Sequence, residues 1–125
     1  MIHGAAKLEG VHPDLVRLFN DVGSQRDIWI AEGARSRESE RADILAGRSG
    51  LKDPSHSKHV IVPGFRDLAA AVDVTPFPVN WNDIPAFKSL GAFVKDRAVA
   101  LGISITWGGD WVTLHDFDHF EMANG

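Results

Sequence analysis

The chain has 125 residues, 44% of them apolar and 24% charged, with no cysteine and a formal net charge of −4. A composition so near the globular average argues for one folded domain over residues 1–125 and against disorder. The missing cysteines exclude disulfides, thiolate metal sites and a cysteine nucleophile, the acidic balance speaks against a nucleic-acid partner, and no window supplies the ~20 apolar residues of a membrane helix.

The first predicted element is a helix from Pro13 to Val22, where Leu15, Leu18, Phe19 and Val22 fall on one face. Pro13 suits its first turn and Gly23 its end. A strand is expected at Ile28–Ala31. A second helix is expected from Arg37 to Ala46, with Ser36 as N-cap and Gly47 as stop. The loop from Gly47 to Asp67 is long, and such loops in small domains are usually functional or disordered. Ala70–Val74 reads as a second strand. A third helix spans Asp83–Leu101, capped by Asn82, started by Pro85 and stopped by Gly102, with Phe87, Leu90, Val94, Ala98 and Leu101 as its buried stripe. Ile103–Trp107 and His119–Met122 are the remaining strands. Short strands between helices and loops predict an α+β domain: a small, mainly antiparallel sheet with about three helices packed against it.

Four of the six histidines form two close pairs, His56/His59 and His115/His119, each with acidic neighbours. A catalytic zinc takes three protein ligands and leaves one position open. Without cysteine the ligands must be histidines and carboxylates. The same clusters also suit solvated polar loops, and spacing alone does not choose among the histidines. His115 and His119 are four apart, but Trp107–Trp111 reads as a turn, so the helical pair pattern lacks its context and His115 reads as a loop residue. Trp81, Trp107 and Trp111 suit either a cleft or the core.

Ser57-Lys58-His59 followed by Ala71-Val72-Asp73 resembles the Ser-x-His … Ala-x-Asp signature of the zinc D-Ala-D-Ala and L-Ala-D-Glu peptidases. That VanY-like family includes vancomycin-resistance dipeptidases, D,D-carboxypeptidases and phage endolysins. Gly33-Ala34-Arg35-Ser36 resembles its Gly-x-Arg-Ser/Thr motif, and Asp116–Glu121 its last motif. The stretch from Leu51 to His59 is especially similar to phage L-alanyl-D-glutamate endopeptidases. The resemblance runs from Ile28 to Met122, with four motifs in order.

It implies a small α+β peptidase holding one zinc through His59, Asp73 and His119. Asp116 is implied as general base, Arg35 as the cation facing the substrate carbonyl, and Ser57 as a substrate contact. Asp118 stays open as the base in place of Asp116; in a regular strand Asp116 would point away from His119, and a turn or bulge before His119 would repair this. Residues 60–72 separate His59 from Asp73, more than the family places there, and Val60–Leu68 reads as an insertion.

The implied substrate is the peptidoglycan stem peptide, cut at L-Ala–D-Glu by a phage endolysin. The alternatives are a D-Ala-D-Ala carboxypeptidase or dipeptidase of the same fold, and a non-hydrolytic wall-peptide-binding module. A monomer with no membrane partner and no separate wall-binding domain is expected. Met1–Lys7 lacks the apolar run of a signal peptide, which suits an enzyme held in the host cytoplasm until its release to the wall.

Overall fold

The computed structural model describes residues 1–34, 68–112 and 115–123. In chain order these form β1 (Ile2–His3), a 3-10 turn (Ala5–Leu8), α1 (Pro13–Gln25), β2 (Ile28–Glu32), β3 (Ala71–Pro76), α2 (Ile84–Leu101), β4 (Ile105–Trp107), a second 3-10 turn (Gly108–Asp110) and β5 (His119–Met122). The strands make one sheet in the order β1-β2-β3-β5-β4. β1 runs parallel to β2, and every other pairing is antiparallel. The mainly antiparallel α+β expectation holds. Among the described residues there are two α-helices where about three were expected; the helix foreseen over 37–46 lies outside them.

Helix α1 starts as its sequence directs. Pro13 occupies the first turn, and His12 Nδ1 accepts a hydrogen bond from the Asp14 N–H at 3.1 Å. Leu15, Leu18, Phe19 and Val22 are completely buried. The helix passes through Gly23, where a stop was expected. A Cβ at that position would lie 2.1 Å from Ile2 Cγ1, so the glycine lets β1 lie against the helix instead of ending it. The two residues of β1 are too few to show a period, which is why the sequence hid this strand.

Helix α2 follows its expected bounds to within one residue. Its N-cap is Asp83, whose Oδ1 accepts from the Ala86 N–H at 3.2 Å, and not Asn82, whose own N–H donates to Asn80 Oδ1. Gly102 ends it in the left-handed conformation at φ 71°. Arg97 reaches across to α1 and donates to both carboxylate oxygens of Asp21, at 2.6 and 2.9 Å.

Alternation along the strands gives the sheet two characters. Ile28 and Ile30 of β2, Val72 and Val74 of β3, and Phe120 of β5 are fully buried and join the α1 and α2 side chains in one apolar core. Side chains alternate across a strand, so Asp73 of β3 and His119 and Glu121 of β5 share the opposite face. Phe120 meets Phe19 edge-on at 5.3 Å and stacks on Trp107 at 6.4 Å.

Phe120 therefore clamps β5 onto the helices. Phe120→Ala is expected to cost ~3–5 kcal/mol of stability by leaving a cavity, measured by denaturant unfolding. A loss near zero would show that β5 is held by its backbone ladder instead.

Candidate metal centre

Strands β3 and β5 pair with Asp73 directly opposite His119. The two side chains meet at 3.2 Å, His119 Nδ1 to Asp73 Oδ1. The other ring nitrogen, Nε2, lies 2.8 Å from Glu121 Oε1. His119 is 8% exposed, and the Trp111 ring packs 5.2 Å from its imidazole.

Asp116 joins the pair through a turn. The His119 N–H donates to the Asp116 carbonyl at 3.2 Å, and the Asp116 N–H donates to the Gly108 carbonyl at 3.1 Å. The Trp107 indole N–H holds the middle of the turn through the Phe117 carbonyl at 2.8 Å. Strand β5 begins only at His119, so strand alternation does not govern Asp116. One ligand atom each from Asp73, Asp116 and His119 lie within 4.8 Å of one another. Among the described residues this is the cluster fitted to a cation, and its imidazole and carboxylate donors suit zinc.

Gly108 makes room for this arrangement. A Cβ there would fall 2.3 Å from the Asp116 carbonyl oxygen and 3.1 Å from His119 Cβ. Gly33, in the upstream motif, has a similar reason: a Cβ would fall 1.8 Å from the Lys7 carbonyl oxygen.

Among the described residues the electrostatics are those of a strongly acidic site. Burial pushes the Asp118 carboxyl up to about 8, helped by its hydrogen bond with Asp116 and by the charges of Asp73 and Asp116. A protonated Asp118 donates to Asp116, which leaves Asp116 as the acceptor of the two. Burial pulls the His119 imidazole down, but hydrogen bonds to Asp73 and Glu121, and then their charges, outweigh it and hold His119 up at about 9.

The structure thus brings together Asp73, Asp116 and His119 of the expected site residues. Arg35, Ser57 and His59 lie outside the described residues, as do positions 60–67 of the expected insertion. His115 is exposed and stacks on Phe117 with its Nδ1 3.1 Å from the Gly109 carbonyl oxygen, a loop residue as its context suggested. Trp107 belongs to the core. Trp81 is exposed and, with Ile84, Phe87 and Phe117, lines a cavity of about 210 Å³ that Asp116 and Asp118 border. Sequence reasoning passed over Glu121. The available signal was its place two residues beyond His119 on one strand, which puts both on one face.

The chain matches the family model described as phage L-alanyl-D-glutamate peptidase over residues 2–123. It is 32% identical over 105 residues to the L-alanyl-D-glutamate peptidase of Escherichia phage T5, covering 82% of this chain and 71% of that protein. Among solved structures, the L-Ala D-Glu endopeptidase ChiX of Serratia marcescens superposes with a TM-score of 0.80 at 30% identity, over 98% of this chain and 90% of that one. The vancomycin-resistance D,D-pentapeptidase VanY, solved with Zn(II), gives 0.55 at 12% identity over 90% of this chain and 72% of its own, a likeness of fold.

Two outcomes follow from the geometry. A divalent cation held by His119 would have to displace the proton that its imidazole carries below about pH 9. Affinity for zinc should therefore fall roughly tenfold per pH unit on acidification from about pH 8 to about pH 6. A chelator-competition titration that stayed flat over that range would place the cation away from His119. Gly108→Ala should cost ~1–3 kcal/mol by overpacking and weaken zinc binding as His119, whose Cβ the new methyl would meet at 3.1 Å, shifts. Unfolding and metal titrations that both match wild type would mean that the turn yields without disturbing the cluster.

Proposed function

The chain belongs to the family of phage L-alanyl-D-glutamate peptidases, and from that membership we propose that it hydrolyses the L-Ala–D-Glu bond of the bacterial peptidoglycan stem peptide in the manner of an endolysin. One observation supports the reading above the others: Asp73, Asp116 and His119 converge from β3, β5 and the turn before β5. In the proposed site His59, Asp73 and His119 hold one zinc ion. Zinc bound there would polarise the scissile carbonyl and lower the pKa of a water toward ~7.

The remaining work falls to side chains of this chain. Asp116 accepts the proton of the attacking water and passes it to the departing D-Glu nitrogen. Asp118, hydrogen-bonded to Asp116, holds that carboxylate in place. Arg35 faces the carbonyl oxygen as negative charge gathers on it, and Ser57 contacts the peptide. The cavity beside Asp116, walled by Trp81, Ile84, Phe87 and Phe117, offers the peptide an apolar seat. The products are a free L-Ala carboxyl and a free D-Glu amine.

Purified protein incubated with peptidoglycan should release those ends and no others, and a chelator should stop the release. New D-Ala ends would point to D-Ala-D-Ala carboxypeptidase action, and zinc uptake without cleavage to a wall-binding module. Asp116→Asn should lower the rate by ~10²–10⁴ with zinc retained. Asp118→Asn, which still offers a donor to Asp116, should be milder, and the reverse ranking would move the base to Asp118.

A further inference from the structure

We propose that Glu121 is the positioning residue that decides which nitrogen of His119 faces the metal. The inference rests on the zinc site of the preceding reading and adds a residue to it. Glu121 Oε1 lies 2.8 Å from His119 Nε2. An ionised carboxylate only accepts hydrogen bonds, so Nε2 carries the hydrogen of that contact. In the neutral imidazole that a metal requires, the lone pair is then on Nδ1. That nitrogen is the one turned toward Asp73, at 3.2 Å.

The strand makes this orientation rigid. His119 and Glu121 stand two residues apart on one face of β5. β5 is an interior strand, with Glu121 paired to Ala71 of β3 on one side and Thr106 of β4 on the other. Both side chains are largely buried, at 10% and 16% exposure. Glu121 contacts the ring nitrogen opposite the cluster and, among the described residues, is not one of the cluster's ligands. Its carboxylate thus orients the ring and raises the basicity of Nδ1, an arrangement whose loss typically costs about 10- to 100-fold in metal affinity.

The test uses zinc itself. Wild type, Glu121→Ala and Glu121→Gln are titrated with Zn²⁺ against a chromophoric chelator, and the zinc-loaded proteins are examined by long-range ¹H–¹⁵N NMR at His119. Wild type should show Nδ1 on the metal and a hydrogen on Nε2. Glu121→Ala should bind zinc about 10- to 100-fold more weakly. Glu121→Gln, whose carbonyl oxygen still accepts from Nε2, should recover part of the loss, which a role in folding alone would not produce. Should the alanine protein fail to fold, the near-isosteric glutamine protein decides alone: affinity below wild type supports the inference, and unchanged affinity overturns it. Equal affinity in all three proteins, or Nε2 on the metal in wild type, would overturn it while leaving the zinc peptidase intact. A wild-type protein that takes up no zinc would overturn both.

Discussion

The register between β3 and β5 is the constraint on which the rest depends. Asp73 faces His119 because Val72 pairs with Phe120 and Ala71 with Glu121. Side chains alternate, so a slip of one residue would carry Asp73 into the core and a valine into the site. The slip is opposed by the core itself. Val72 and Val74 have no exposed surface, and both would leave the core. Apolar packing on one face thereby holds polar groups in register on the other.

What that register assembles is a crowded acidic cluster. Among the described residues, Asp73, Asp116, Asp118 and Glu121 gather near the His119 imidazole, and Asp118 is largely buried. Asp118 answers by retaining a proton to about pH 8 and His119 by retaining one to about pH 9. Such displacements mark groups kept for chemistry more often than for stability. The turn from Asp116 to His119 makes the crowding geometrically feasible, and it depends on the bare backbone of Gly108.

Much of this was legible in the sequence, and the reasons are specific. The stripe Leu15–Leu18–Phe19–Val22 and the Pro13 start marked α1, because burial of one face and capping are local effects. Asp73 and His119 were legible through motif order, which carries information about pairing that no periodicity holds. What escaped depended on tertiary contact. Gly23 looked like a stop until Ile2 was seen against it. Asn82 and Asp83 are equally good caps by residue type, and the turn at Asn80 separates them. Glu121 was passed over as a site residue, because its contact with His119 is fixed by side-chain direction. The position of Asp116 needed a turn that the sequence allowed but did not demand.

The sheet keeps its greasy face and its reactive face apart. Ile28, Ile30, Val72, Val74 and Phe120 look toward α1 and α2, while Asp73, His119 and Glu121 look the other way. An engineer can therefore work on the two separately. Tighter packing beneath the sheet would raise heat tolerance without touching any donor atom, and a redrawn cleft above it would change what is cut without opening the interior. Evolution had the same freedom. A scaffold of this kind can drift far in its buried side chains, and it can try new bonds on its outer face, provided that the two ladders beside β5 stay in step.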